Sequence, residues 1–333
     1  MSKGVVLYGR KIAQAIGRKI QSDVAYLKTN FNVSAKLVVI EVGNLPQSKL
    51  YIEQKYKFAS KYDVILSHIR FPPQLTESEI LDYICKLNAD SSVHGIAIQL
   101  PLDSDMNISV TNLLNAVTNQ KDVEGLNSYN TALLSRGSIL CPHCKGLKQK
   151  NIHIPCTAAA CYSLIQHVNF PIIGSRCVIV GRGRLVGAPT AELLSGSCGA
   201  TITQCHLDSI NIDEDISRGD IIISAVGHPG LIKGEWIKPG ALVIDCGYSI
   251  INDPQNLGKS RCVGDVEFMS ALENAKWITP VPGGVGPVSI AMLFRNTLNS
   301  AKWSVGLDSC CCTCSTETDI FKNHYCDRKV SGC

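Results

Sequence analysis

Residues 177–187 read CVIVGRGRLVG and combine a buried strand with a glycine-rich turn. The first four residues form a short apolar run that is typical of a strand inside a parallel sheet. Glycines then follow in the spacing GxGxxxG, and a helical segment is expected from Pro189 to Leu194. Glycines between a strand and a helix let the backbone approach a pyrophosphate, which binds at the free N–H groups of the helix. The stretch therefore predicts a dinucleotide site, although alone it is equally compatible with a plain glycine-rich turn.

The rest of the chain places this stretch in an α/β fold. Short apolar runs alternate with helical segments, which predicts parallel sheets with helices on their faces. In the second half, further strands are expected at 200–205, 220–227 and 241–247. In the first half, strands are expected at 37–43 and 94–100, with helices at about 48–62 and 77–88 between them. We therefore expect two α/β domains, 1–147 and 148–279, with an active-site cleft between them.

The composition indicates a globular protein and argues against several kinds of partner. Of the 333 residues, 45% are apolar and 18% are charged, and the net charge is +4. No basic stripe alternates with aromatic residues, so no nucleic-acid partner is expected. No apolar run reaches the roughly 18 residues that a membrane helix needs, so no membrane partner is expected either. Sixteen cysteines without a secretory signal indicate reduced, intracellular thiols rather than a disulfide framework.

The N-terminal segment allows two interpretations. Residues 1–22 contain five Lys or Arg and no acidic residue, as an organelle transit peptide would. An isoleucine or valine also recurs at every fourth position from Ile12 to Val24, which is typical of an ordinary amphipathic helix. We favour the helix, from Lys11 to Leu27, and expect a cytoplasmic location.

The expected helix at 48–62 carries the candidate catalytic residues. Ser48, Tyr51 and Lys55 are spaced i, i+3, i+7 and therefore line one face. A lysine enclosed in a site has its pKa lowered by desolvation and becomes a usable base near neutral pH. An isolated lysine would be assigned to the surface, but Gln99 is a lone polar residue near the carboxyl end of a strand, where open α/β sheets bind ligands. The position of Gln99 therefore favours a catalytic role for Lys55.

A second glycine-rich segment, 278–287, reads ITPVPGGVGP. Pro287 suits the first turn of a helix, and Gly283, Gly284 and Gly286 permit close approach of a ligand to the backbone. A loop shaped only for chain reversal is the alternative.

These motifs together resemble a known family. SKLYIEQK, VHGIAIQLPLD, KDVEG, PCT, GRGRLVGAP, WIKPGALVIDCG, VGDVEF and TPVPGGVGP occur in this order across about residues 5–303. They are similar to the motifs of the bifunctional methylenetetrahydrofolate dehydrogenase/cyclohydrolase family. The resemblance implies a folate-binding first domain completed by a helix at 280–303, a Rossmann-like second domain, and a homodimer. It also implies hydride transfer from 5,10-methylenetetrahydrofolate to NADP, followed by hydrolysis of the methenyl cation to 10-formyltetrahydrofolate.

The resemblance assigns roles to residues of this chain. Lys55 matches the lysine that assists proton transfer in the hydrolytic step, and Gln99 matches the glutamine bonded to it. Tyr51 matches the tyrosine packed against the folate, and Glu124 stands at the position of the pterin-binding aspartate. The implied catalytic residues are Lys55, Tyr51 and Gln99. The implied folate-binding residues are Ser48, Tyr51, Ile52, Glu53, Gln54, Lys55, Ile98, Gln99, Leu100, Glu124, Pro282, Gly283, Gly284, Val285 and Gly286.

Different residues of the sequence favour different nicotinamide cofactors. The resemblance implies a cofactor-binding set of Gly181, Arg182, Gly183 and Leu207. Arg182 could hold a 2′-phosphate, which favours NADP, whereas Asp208 at the end of the second strand would suit the ribose of NAD. Two serines of the family are replaced by Gly183 and Leu207, which removes hydroxyls that help to hold a 2′-phosphate. NADP is the first choice, and NAD remains possible.

The cysteine clusters are not assigned a function. Cys141 and Cys144 form a CxxC motif, with His153 and Cys156 downstream. A zinc site is the alternative to an incidental loop in the linker, and we predict no metal. The cysteine-rich segment 304–333 is expected to be a disordered tail.

Two rival functions stay open. A dehydrogenase-only enzyme that prefers NAD is suggested by Leu207, Asp208 and Glu124. A non-catalytic folate-binding paralogue is less favoured, because Lys55 and Gln99 are both present.

Overall fold

The computed structural model describes residues 3–136, 152–252 and 260–307. Strands and helices alternate along them. The strands are β1 (Val5–Val6), β2 (Lys36–Val42), β3 (Ile65–Phe71), β4 (Gly95–Ile98), β5 (Arg176–Val180), β6 (Thr201–Cys205), β7 (Ile221–Ser224), β8 (Leu242–Asp245), β9 (Ser249–Asn252), β10 (Ser260–Val263) and β11 (Trp277–Ile278). The helices are α1 (Arg10–Phe31), α2 (Pro46–Lys61), α3 (Glu77–Ala89), α4 (Val110–Ala116), α5 (Ser128–Ser135), α6 (Cys156–His167), α7 (Gly187–Glu192), α8 (Ile212–Ser217), α9 (Phe268–Asn274) and α10 (Val285–Ser304).

The first domain is built on a parallel three-stranded sheet in the order β3-β2-β4. Because side chains alternate along a strand, β2 supplies two different cores. Leu37 and Val39 pack in a core with residues of α1, α2 and α10, whereas Val38 and Ile40 pack against α3 on the opposite face. Helix α2 therefore covers one face of the sheet, and its buried side faces the carboxyl ends of β2 and β4.

The second domain is built on a parallel six-stranded sheet in the order β1-β11-β8-β7-β5-β6. The strands predicted at 177–181, 200–205, 220–227 and 241–247 correspond to β5, β6, β7 and β8. The strand order reverses between β5 and β7, since β6 lies on the other side of β5. Open α/β sheets bind ligands in the crevice at such a reversal, and the glycine-rich turn after β5 lies there.

Five strands of the structure were not predicted, namely β1, β3, β9, β10 and β11, and two of them show why. β3 contains the polar residues Ser67, His68 and Arg70 and lies at a sheet edge with mostly half-exposed side chains, so it lacks the apolar run of a buried strand. β1 is only two residues long and pairs in parallel with β11, which places the beginning of the chain in the second sheet.

The last helix connects the two halves of the molecule. α10 contacts α1, α2, β2 and β4 of the first domain, and it also contacts α6 at the start of the second. Phe294, a fully buried side chain on α10, stacks on Phe58 of α2 with ring centroids 5.0 Å apart. Among the described residues, none of the helices combines the length and the apolar character that a bilayer crossing requires.

Candidate active site

Lys55 and Gln99 meet in the interior of the first domain. Nζ of Lys55 donates a hydrogen bond to Oε1 of Gln99 at 2.9 Å. Nε2 of Gln99 donates to the carbonyl oxygen of Leu100 at 2.9 Å, which orients the amide toward the lysine. The two residues are only 7% and 8% exposed. The helix α2 and the end of β4 thus bring together the pair that the sequence singled out.

An amine and a carboxylate share this poorly solvated space. Burial lowers the pKa of Lys55, and the charges of Glu124 and Glu41 oppose that shift. Glu124 accepts a hydrogen bond from the backbone N–H of Ile98 at 3.1 Å, and burial raises the pKa of its carboxyl. Burial also raises the pKa of the Cys156 thiol, so that thiol stays neutral. Lys55 therefore gives up its proton more readily than a solvated lysine does, as a group that transfers protons requires.

Tyr51 lies one helical turn before Lys55 and contacts the second domain. Its ring centroid is 5.1 Å from that of Tyr248, which follows β8. Burial raises the pKa of the Tyr51 phenol, so the hydroxyl stays protonated and can donate a hydrogen bond. Both domains therefore border the site.

The remaining predicted residues of α2 divide between its two sides. Ser48 and Ile52 are buried on the inner side with Lys55. Glu53 and Gln54 are exposed on the outer side. Their assignment to folate binding, which came from the family resemblance, stays a prediction.

The glycine-rich turn after β5 has the geometry of a phosphate-binding turn. Gly181 has a φ of +124°, and a Cβ there would lie 2.4 Å from the carbonyl oxygen of Ala225. A Cβ on Gly187 would lie 2.1 Å from the carbonyl oxygen of Gly181. Only glycine is compatible with both positions. A Cβ on Gly183 would meet no atom within 4 Å, and Arg182 is exposed, so the outer side of the turn is open to a ligand phosphate.

At the end of β6, an apolar side chain stands at the position where the family has a phosphate-binding serine. Leu207 is 52% exposed, with its apolar side chain in solvent. Beside it, Nδ1 of His206 lies 3.0 Å from Oδ2 of Asp208. An apolar side chain and an acidic one therefore flank the region where the cofactor ribose is expected.

The loop 280–284 leads directly into α10. Gly283 has a φ of +109°, and its carbonyl oxygen accepts a hydrogen bond from the backbone N–H of Gly9 at 2.9 Å. The helix starts at Val285, so Pro287 lies in its first turn as predicted. The loop is thus held against the segment that follows β1.

A cavity of about 550 Å³ lies between the segment 100–110, which follows β4, and the glycine-rich turn after β5. Leu185 of the turn lines it on one side. At the same boundary, Nη1 of Arg184 donates to Oγ1 of Thr111 at 3.0 Å. The residues of the other side are Leu100, Pro101, Leu102, Ser104, Met106, Asn107, Ile108 and Val110.

His153 and Cys156 have partners within the protein. Nε2 of His153 lies 2.9 Å from Oγ of Ser300, and Sγ of Cys156 donates to the carbonyl oxygen of Val123 at 3.3 Å. The described ranges contain no group of three or more His, Cys, Asp or Glu side chains arranged to hold a metal ion. Cys141, Cys144 and the cysteine-rich segment 308–333 lie outside the residues that the structure describes.

Sequence reasoning missed two residues of this site. Tyr248 comes directly after a strand that had been identified, at the ligand-binding edge of the sheet, and its position could have indicated a role. Glu41 is a carboxylate inside the apolar run LVVIEVG, and a buried charge in such a run calls for a partner.

Comparison with known proteins decides the family. Residues 7–124 match the profile of the tetrahydrofolate dehydrogenase/cyclohydrolase catalytic domain, and residues 155–305 match that of the NAD(P)-binding domain. The chain belongs to the tetrahydrofolate dehydrogenase/cyclohydrolase family. Both domains of the family are present, and the predicted resemblance and α/β fold are confirmed.

Individual relatives agree with this assignment. The human cytoplasmic C-1-tetrahydrofolate synthase is 42% identical over 303 residues, which are 91% of this chain and 31% of that protein. The chain thus spans about a third of that relative's length. The chloroplastic bifunctional protein FolD 4 of Arabidopsis thaliana is 39% identical over 299 residues, covering 90% of this chain and 79% of that protein. The Trypanosoma brucei methylenetetrahydrofolate dehydrogenase-cyclohydrolase, solved with NADP and an inhibitor, has a TM-score of 0.84 and 35% identity, covering 92% of this chain and 100% of that one.

Proposed function

We propose that this protein catalyses two successive steps on tetrahydrofolate that carries a one-carbon unit. The first step oxidises 5,10-methylenetetrahydrofolate to the methenyl cation with NADP. The second step hydrolyses that cation to 10-formyltetrahydrofolate. The observation that carries the proposal is the buried hydrogen bond from Lys55 to Gln99 at 2.9 Å, beside a carboxylate and at the cleft between two domains of the family.

The hydrolytic step needs a group that moves protons. Water attacks the methenyl carbon and loses a proton, and the nitrogen that leaves this carbon gains one. Lys55 can accept the first proton as a neutral amine and supply the second as an ammonium, because burial keeps its pKa below that of a solvated lysine. Gln99 holds Nζ in place through Oε1, which accepts a hydrogen bond from either form of the amine.

The oxidative step depends mainly on binding and orientation. The nicotinamide of the bound cofactor accepts the hydride. The turn at Gly181 offers backbone N–H groups to the pyrophosphate, and Arg182 offers a charge for a 2′-phosphate. Tyr51 and the loop 282–286 bound the folate side of the cleft. Since hydride transfer requires close contact, these groups act by placing the two reactants together.

Assays on purified protein test both steps. We expect formation of the methenyl product with NADP, and hydrolysis of added methenyltetrahydrofolate without any nucleotide. The wild-type protein should hydrolyse methenyltetrahydrofolate faster than Lys55→Met does. Equal rates would mean that Lys55 has no catalytic role. Oxidation without measurable hydrolysis would reject the bifunctional proposal.

A second candidate is a dehydrogenase that uses NAD and lacks hydrolase activity. The exposed Leu207 and the neighbouring Asp208 favour it, because neither an apolar side chain nor a carboxylate can donate a hydrogen bond to a 2′-phosphate. Comparing KM for NAD and NADP separates the candidates. A lower KM for NAD together with undetectable hydrolysis would establish this alternative.

We also propose that the protein is a cytoplasmic homodimer. The relatives include cytoplasmic, mitochondrial and chloroplastic proteins. In support of a dimer, β3 is an edge strand, and its Ile65 is 47% exposed. Sedimentation of the full chain tests the dimer, and imaging of a C-terminal fluorescent fusion tests the location. A monomer would contradict the proposed dimer, and fluorescence confined to an organelle would contradict the proposed location.

A further inference from the structure

A buried carboxylate beneath Lys55 has no part in the steps described above. Glu41 of β2 is only 2% exposed. Its Oε2 accepts a hydrogen bond from Nε of Arg70 at 2.8 Å and lies 2.9 Å from Nε2 of His68. Its Oε1 has no hydrogen-bond partner among the described residues. A buried carboxylate with one unpaired oxygen is costly unless positive groups lie close to it.

The strand register puts Glu41 beside Gln99. Val39 of β2 pairs with Ala97 of β4, and the backbone N–H of Gln99 donates to the carbonyl oxygen of Ile40 at 2.7 Å. Two residues beyond Val39 and Ala97, Glu41 and Gln99 are therefore neighbours on adjacent strands, which lie about 4.8 Å apart. Their side chains project on the same face as those of Val39 and Ala97, which belong to the core beneath α2 and α10.

The helix α2 brings Lys55 over these two residues. Lys55 is bonded to Gln99, and the ring of the next residue, Tyr56, lies 6.4 Å from the ring of His68. The charge of Glu41 raises the pKa of Lys55, against the lowering by burial. The other titratable groups near Lys55 are Glu124, before α5, and the neutral thiol of Cys156, at the start of α6. Those that contact Glu41 are His68 and Arg70 of β3.

We propose that Glu41 is a positioning residue for Lys55, whose ammonium form is stabilised by the Glu41 carboxylate that His68 and Arg70 hold in place. This inference rests on the proposed hydrolytic function. Glu41 touches neither substrate nor cofactor. The charge of Glu41 sets the pH range in which Lys55 passes from ammonium to amine. The positive charge of Arg70 weakens this influence of Glu41 on Lys55.

Two substitutions test the proposal because they act in opposite directions. Glu41→Gln removes the negative charge and keeps the shape of the side chain. Since Lys55 acts as a neutral base, the acidic limb of the pH profile of hydrolysis should move to lower pH by about one unit. Arg70→Gln removes a positive charge and should move the same limb to higher pH. A purely structural role predicts lost activity in both variants without opposite shifts, and that result would overturn the proposal.

A direct titration separates this inference from the proposed function. Nitrogen NMR of protein with isotope-labelled lysine, with the Lys55 signal identified by its loss in Lys55→Met, reports protonation without any turnover. Glu41→Gln should lower the titration midpoint of Lys55 and Arg70→Gln should raise it, while Asp82→Asn, an exposed carboxylate on α3, should leave it unchanged. If wild type hydrolyses no methenyl substrate but the midpoints move, only the proposed function fails. Unmoved midpoints would reject the role of Glu41.

Discussion

The rings of Tyr51 and Tyr248 lie 5.1 Å apart, although one belongs to α2 and the other follows β8 of the second sheet. The backbone beside Tyr248 is fixed by a buried carboxylate. Asp245 accepts hydrogen bonds from the backbone N–H groups of Gly247 at 2.9 Å and Val266 at 3.0 Å. An aromatic contact, supported on one side by these hydrogen bonds, therefore joins α2 to the NAD(P)-binding domain.

The first prediction concerns this aromatic pair. Tyr248→Leu removes a ring contact of about 1 kcal/mol, so we expect KM for the folate substrate to rise about threefold to tenfold in both activities, with a small change in kcat. Steady-state kinetics at saturating NADP measure the effect. Tyr129→Leu, an exposed tyrosine on α5, is the control. An unchanged KM in Tyr248→Leu would mean that the pair does not contribute to the folate site.

The second prediction concerns proton transfer. Lys55→Met keeps the length of the side chain and removes the amine, so hydrolysis should fall about 100-fold to 10,000-fold. Circular dichroism at the assay temperature should show that the variant is folded, so that the loss reflects the missing amine rather than unfolding. Lys57→Met on the exposed side of α2 should retain wild-type rates. Equal hydrolysis by the two variants would contradict the assignment of Lys55.

The third prediction concerns the cofactor. Leu207→Ser supplies a hydroxyl near the expected 2′-phosphate, and a hydrogen bond to a charged group contributes about 1.5 kcal/mol. We therefore expect KM for NADP to fall about tenfold while KM for NAD stays the same. Ile210→Ser removes another apolar side chain, 87% exposed, and controls for general surface effects. A parallel fall for NAD would show that the hydroxyl does not act on the phosphate.

The fourth prediction concerns stability in acid. Burial lowers the pKa of His153 from 6.5 to about 4. Its neutral ring therefore stabilises the fold fully above pH 6.5, and this contribution is lost as the pH falls from 6.5 to about 4. The loss amounts to about 3 kcal/mol in the free energy of unfolding.

Urea denaturation at several pH values measures this contribution. His153→Gln cannot titrate and should show a flatter pH dependence than wild type over that interval. His167→Gln, at an exposed position of α6, should retain the wild-type pH dependence. If wild type and His153→Gln had the same pH dependence, the buried histidine would not account for the acid sensitivity.

Much of the fold follows from local patterns. The apolar runs of β2, β4, β5 and β8 and the turn at Gly181 were predicted within a few residues, because burial on both faces and glycine-specific geometry leave direct traces in the sequence. β3 leaves no such trace, since edge strands with one solvated side contain polar residues. β1 is too short for any pattern, and it forms only because β11 offers an open edge.

The sequence by itself determined the α/β class and the glycine-rich turn, since each depends on residues close together in the chain. It also singled out Lys55 and Gln99, through a set of short motifs that occur in a fixed order along the chain. The family resemblance implied the bond between these two side chains, and the structure contains it. Only the tertiary structure decided that Glu41 lies next to Gln99 and that Tyr248 reaches Tyr51. Those contacts join residues far apart in the chain, and they depend on strand order, register and domain packing. Such features arise from the collective burial of many side chains, which local spacing does not encode.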